Sequence, residues 1–221
     1  MAQTVAIFDW DGVVIDSSVA HERSWEALAR EEAKALPADH FKRGFGKRNE
    51  FIIPEILRWT NDPAEIRRLS YRKEALYRDI ARQGNIHLLP GVRELTTALN
   101  QHGIPCVIGT STQKENLELA FELFGLRPLF QGAVSSEDVK NGKPDPEVFL
   151  KACSLGQGIP KHSFVFEDSF AGIEAGLRGG FQTIALATTN PREQLIPTGA
   201  HRIVPNLASV DPQWIIQGQF V

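Results

Sequence analysis

Two aspartates, Asp9 and Asp11, stand two positions apart in the segment FDWDG, at the end of the short apolar run TVAIF (residues 4–8). Like charges that close repel, and each costs free energy to desolvate unless something offsets it. A plain turn needs only one Asp, so the pair reads as a holder of positive charge. Further polar groups follow later apolar runs. Thr110, Ser111 and Thr112 come after IPCVIG, Lys143 lies in the loop NGKPDP beyond QGAVSS, and Glu167 and Asp168 end SFVFED. Carboxylates, hydroxyls and an ammonium together suit phosphoryl transfer. Oxygen-rich carboxylate sites suit Mg²⁺, which takes few protein ligands and leaves its other positions to water and phosphate. With the repulsion offset, ionised Asp9 can attack phosphorus and form an aspartyl-phosphate. Asp11 can protonate the leaving oxygen and later take a proton from water, provided its side chain points away from the metal. Thr110 can donate to a phosphoryl oxygen, Ser111 can share the phosphate, and Lys143 supplies fixed positive charge. Each group also has a plainer reading: turn residues for the two aspartates, helix caps for Thr110, Glu167 and Asp168, a solvated loop lysine for Lys143.

Something must bring these groups together. TVAIF, IPCVIGT (104–110), SFVFE (163–167), QTIALA (182–187) and the weaker QGAVSS (131–136) read as strands buried on both faces. Between them, KENLELAFELFG (114–125) and DPEVFLKACSLG (145–156) carry helical patterns, with Gly125 and Gly156 placed to end them. Alternating strands and helices imply an α/β fold, a doubly wound parallel sheet of Rossmann type, in which ligands bind beyond the carboxyl ends of the strands. Residues 17–88 break that rhythm. SVAHERSWEALAREEAKAL (18–36) is amphipathic, FKRGFGKRNEFIIPEILRW (41–59) reads as helical, and DPAEIRRLSYRKEALYRDIARQ (62–83) opens with Asp62, Pro63 and Glu65 in a capping pattern. The expectation is a core of residues 1–16 plus 89–221 and an inserted all-α cap of residues 17–88.

The bulk numbers narrow the function classes. The chain has 221 residues, 42% hydrophobic and 23% charged, enough apolar mass for a real core. A net charge of −3 gives no general basic surface for nucleic acid. No apolar run approaches the roughly 18 residues of a membrane span. The start, MAQTVAIFDW, does not read as a secretory signal, so the cytoplasm is the expected compartment and a monomer the expected state. Cys106 and Cys153 have no metal-type spacing and read as reduced core thiols. Six histidines without a tight pair speak against zinc.

The constellation resembles the haloacid dehalogenase superfamily of phosphohydrolases. DWDGV looks like its first motif, Thr110 its second, Lys143 in GKPDP its third, and FEDSFAGIEAG its fourth, in the family's order over nearly the whole chain. The resemblance implies Mg²⁺ held by the Asp9 carboxylate, the Asp11 main-chain carbonyl and Asp168, with Glu167 nearby or contributing. Residues 17–88 match the helical cap such proteins carry. DSSVAHERSWEAL resembles the β-phosphoglucomutase pattern, in which a histidine at the position of His21 assists proton transfer, and Lys73 resembles that branch's cap lysine. Where the mutases carry a cap arginine that grips a second phosphate, this chain has Asn49, beside Arg48. His21, Arg48, Asn49 and Lys73 are therefore candidate substrate contacts. Other segments, such as DPAEIRRLSYRKEAL and LASVDPQWI, resemble plant-type phosphatases of a flavin-pathway ribityl phosphate. The leading expectation is a Mg²⁺-dependent phosphatase of a small phosphorylated metabolite. A phosphosugar mutase and a non-catalytic phosphometabolite sensor are the competitors.

Overall fold

Three consecutive apolar residues with no exposed surface, Ala6, Ile7 and Phe8, form the first strand, β1 (Ala6–Phe8). The structure, a computed structural model, describes residues 3–44 and 46–218. It divides into two compact units: Met1–Ile15 with Leu88–Val221, and Asp16–His87.

In the first unit β1 lies at the centre of a parallel six-stranded sheet with β4 (Cys106–Gly109), β5 (Gly132–Val134), β6 (Phe164–Glu167), β7 (Gln182–Leu186) and β8 (Arg202–Val204), in the order β5-β4-β1-β6-β7-β8. Ile7 pairs with Val107 on one side and Val165 on the other. Every residue of β1, β4 and β6 is buried, as a parallel sheet covered on both faces requires. Two further strands, β2 (Ile15–Asp16) and β3 (His87–Leu88), pair where the chain leaves and re-enters this unit.

Neighbouring residues of β1 serve opposite faces, because strand side chains alternate. Ile7 packs with Val107, Val165 and Phe181 against Val148, Phe149 and Cys153 of helix α7 (Glu147–Leu155). Phe8 stacks on Phe166 at 4.6 Å and meets Phe130 edge-on at 5.8 Å. The flanking helices also include α5 (Val92–Gln101), α6 (Lys114–Phe124), α8 (Phe170–Arg178), α9 (Arg192–Leu195) and α10 (Pro212–Ile216). Gly125 closes α6 at φ 61°, the left-handed value that glycine adopts most cheaply. The expected α/β architecture is present, and β8 adds an edge strand that the apolar pattern does not announce.

The second unit is helical: α1 (Ser18–Glu31), α2 (His40–Gly44), α3 (Asn49–Phe51) and α4 (Pro63–Arg82), with a π-helical turn over Ile52–Leu57. Trp25 and Leu28 of α1 pack with Ile53, Ile56 and Leu69. Asp62 caps α4, its carboxylate accepting from the main-chain N–H of Ala64 and Glu65. The stretch 41–59, expected to be helical, is three short pieces. Gly46 has φ 73°, Arg58 has φ 55°, and Pro54 has no N–H to give the helical ladder. The run 18–36 likewise stops as a helix at Glu31, with Ala33 at φ 50°. Among the described residues, no helix is long and apolar enough to cross a membrane.

Candidate active site

The parallel sheet delivers its polar residues to one edge. Asp9 follows β1, Thr110 follows β4, Glu167 ends β6 with Asp168 next, and the pair Thr188–Thr189 comes just beyond β7. The strand ladder continues into the site, since Asp9 N–H donates to the Phe166 carbonyl and Thr110 N–H to the Val134 carbonyl.

One group of contacts centres on Lys143. Its ammonium, almost without exposed surface, lies 2.8 Å from Asp9 Oδ1 and 2.6 Å from Glu167 Oε1. Glu167 Oε2 accepts from the main-chain N–H of Asp168 and of Ser169, each at 2.7 Å, and from the Ser169 hydroxyl at 3.0 Å. Helix α8 can approach this carboxylate because residue 172 is glycine. A Cβ there would collide with Glu167. Asp9, Glu167 and Asp168 are all buried and offer oxygens within 4.8 Å of one another.

A second group joins the two motif loops. The Asp11 carboxylate accepts from Thr112 Oγ1, and Thr112 N–H donates in turn to Thr110 Oγ1 at 3.1 Å. Asp11 thus faces the Thr110–Thr112 turn and is not one of the three acids that gather. Ser111 sits half-buried in that turn.

The electrostatics follow from burial. Desolvation raises the Asp9 carboxyl from an ordinary 3.8 to about 7, with Glu167 and Asp11 adding to the rise and Lys143 opposing it. Asp168 is held well above the carboxylate range for the same first reason, aided by Glu167 and Asp9. Burial alone would push the Lys143 ammonium down, but Asp9 and Glu167 more than reverse it. Asp168 Oδ1 is buried and, among the described residues, accepts no hydrogen bond. Three close carboxylates set against one ammonium, with an oxygen lacking a donor, fit a hard divalent cation such as Mg²⁺.

The candidates in the helical unit form their own cluster. Lys73 Nζ lies 2.6 Å from His21 Nδ1 and 3.0 Å from Glu74 Oε1. Asn49 Nδ2 donates to Glu74 Oε1 at 2.7 Å and to Ser70 Oγ at 3.0 Å. His21 stacks on Tyr77 with ring centres 4.2 Å apart. His21, Asn49 and Lys73 are thereby brought together. Arg48, next to Asn49 in sequence, has its Nε 3.8 Å from Glu50.

Several contributors escaped the motif reading. Glu74 and Ser70 were legible, since residues 69, 70, 73, 74 and 77 form the buried stripe of α4 and charges on such a stripe need partners. Thr188, Thr189 and Asn190 also follow a strand end, the rule that found the other groups. Thr112 stands two residues from Thr110 in the sequence, and its bond to Asp11 emerges from the structure.

Comparison with known proteins gives the family and the fold. A family model described as haloacid dehalogenase-like hydrolase matches residues 4–180. A chloroplastic 5-amino-6-(5-phospho-D-ribitylamino)uracil phosphatase from Arabidopsis thaliana is 38% identical over 193 residues, covering 86% of this chain, which spans 51% of that protein. Hexitol phosphatase A of Escherichia coli is 32% identical over 184 residues, covering 81% of each. The crystal structure of a HAD hydrolase of family IA, variant 3, from Entamoeba histolytica superposes with a TM-score of 0.88 at 25% identity, over 98% of this chain and 99% of that one.

Proposed function

The chain belongs to the haloacid dehalogenase-like hydrolases, and from that premise we propose that it is a Mg²⁺-dependent phosphatase of a small phosphorylated metabolite, working through an aspartyl-phosphate on Asp9. The observation that carries this reading is Lys143 held between Asp9 and Glu167 at the strand ends.

Asp9 attacks phosphorus. The bond from phosphorus to the leaving oxygen breaks, and Asp11 gives that oxygen its proton. Asp11 then takes a proton from the water that attacks the aspartyl-phosphate, releasing phosphate and restoring Asp9. Lys143 neutralises Asp9 before the reaction and the transferring phosphoryl oxygens during it. Thr110 Oγ1 already accepts from Thr112 N–H, which leaves its own proton to donate to a phosphoryl oxygen. Ser111 shares that contact. Asp9, Asp168 and the Asp11 main-chain carbonyl would hold Mg²⁺, with Glu167 beside them. When bound, the ion supplies positive charge that offsets the carboxylates and the phosphoryl group. Glu167, both of whose oxygens accept hydrogen bonds, orients Lys143.

Selection of the substrate falls to the helical unit. His21, Arg48, Asn49 and Lys73 are the residues assigned to that role. Ser70 and Glu74 already engage the Asn49 amide, and Glu74 balances the Lys73 charge. Such a cluster suits hydroxyls better than a second phosphate. The two relatives named as phosphatases act, by name, on a ribityl and on a hexitol compound, which supports a sugar or ribityl phosphate here.

The test is phosphate release with Mg²⁺ over a panel of sugar, hexitol and ribityl phosphates. Release from a member of this set is expected, with loss on chelation and recovery with excess Mg²⁺. Conversion of β-glucose 1-phosphate to glucose 6-phosphate without free phosphate would make the protein a mutase instead. Binding without turnover across the panel would make it a sensor.

A further inference from the structure

We infer that Thr188, Thr189 and Asn190 form a clamp that sets the cation site, with Thr189 deciding which oxygen of Asp168 faces the ion; the inference rests on the reading of Asp168 as a Mg²⁺ ligand. The three consecutive residues lie just beyond β7, and each donates to a different part of the site. Thr188 Oγ1 donates to the Gly12 carbonyl at 2.5 Å, next to Asp11. Thr189 Oγ1 donates to Asp168 Oδ2, and Asn190 Nδ2 donates to the Asp168 carbonyl at 3.0 Å. One loop therefore holds both the first and the fourth motif.

The division of labour within Asp168 is the main point. Oδ2 has its donor in Thr189, while Oδ1 is buried and accepts nothing among the described residues. A buried carboxylate oxygen without a donor is costly unless a cation meets it. Thr189, by engaging one oxygen, leaves the other aimed as a ligand. The packing allows little alternative. Gly12 has φ 80°, and a Cβ on it would collide with Asp168 Oδ2 and crowd Thr189 Oγ1. Ligand carboxylates that are themselves hydrogen-bonded commonly depend on those outer partners for about 10–100-fold of their metal affinity.

The experiment is Mg²⁺ titration of the full chain by calorimetry, paired with the Mg²⁺-induced rise in Tm. Thr189→Val, near in shape but without a hydroxyl, should raise the Mg²⁺ Kd about 10–100-fold. Its Tm in chelator should fall as well, because Asp168 Oδ2 loses its donor, and Thr189→Ser should restore both Tm and affinity, whereas a purely structural role would lower the Tm and leave the Mg²⁺ Kd near wild type. Should the valine fail to fold, Thr189→Ala carries the same expectation. Wild-type Kd in the valine or alanine variant, with Asp168→Asn unable to bind, would overturn the clamp and leave the cation site standing. Absence of saturable Mg²⁺ binding in the wild type would overturn both.

Discussion

Lys143 has two carboxylates within 2.8 Å and almost no exposure, so its charge cannot be exchanged for water. Lys143→Met keeps the length and removes the charge, leaving Asp9 and Glu167 buried without a counter-charge. Breaking such a pair typically costs about 3–5 kcal/mol, and losing a group aimed at transition-state charge costs about 10²–10³ in turnover. Urea unfolding and phosphate release should show both losses, and a variant as active as wild type would remove Lys143 from the chemistry. Asp9→Asn should behave differently. It deletes a carboxylate that burial already penalises, so folding should survive while turnover is lost. Asp11→Asn should hurt slow alkyl leaving groups far more than p-nitrophenolate, which leaves without a proton. Equal losses on both would count against an acid role. At this scale Asp9, Lys143, Glu167 and Asp168, which the structure gathers, were legible as polar groups that end or follow apolar runs. Thr189 was harder to see, since a single hydroxyl declares itself only through its partner, here Asp168.

Helices and strands carry these groups to within hydrogen-bond reach, and glycine sets how closely they come. Gly172→Ala would drive a methyl group into the Glu167 carboxylate, and overpacking of this kind costs about 1–3 kcal/mol. The variant should lose activity as well as stability, because Glu167 holds Lys143. Gly125→Ala makes the contrast. Nothing lies within 4 Å of its would-be Cβ, so only the left-handed backbone resists, at about 1–2 kcal/mol, and activity per folded molecule should be unchanged. Thermal denaturation with specific activity separates the two, and equal activity losses would contradict the assignment. Continuous apolar runs announced β1, β4, β6 and β7, since strands buried on both faces leave no alternation to misread. The edge strand β8 (Arg202–Val204) was not announced, its residues being only partly buried up to Val204. The helical composition of 41–59 is interrupted near Gly46 and ended at Arg58, both at left-handed φ.

For the molecule as a whole, the buried acids link stability, pH and the cation. Without a cation the folded state holds a proton on Asp9 up to about pH 7, whereas the unfolded chain releases it near 3.8. The folded state therefore binds more protons across that window, and stability falls as pH rises through it. Asp168, raised in the same direction, adds to the fall. A cation displaces those protons, so the Tm increment from Mg²⁺ should be small near pH 5 and grow toward pH 8. An increment independent of pH would mean that the ion binds elsewhere. The central claim, that Asp9 carries the phosphoryl group, is tested most directly by acid-quenching the enzyme during turnover and mapping phosphorylated peptides by mass spectrometry. The account predicts one phosphoryl group on the peptide containing Asp9, absent from Asp9→Asn. Steady phosphate release with that peptide never modified, and with Asp9→Asn still active, would contradict it.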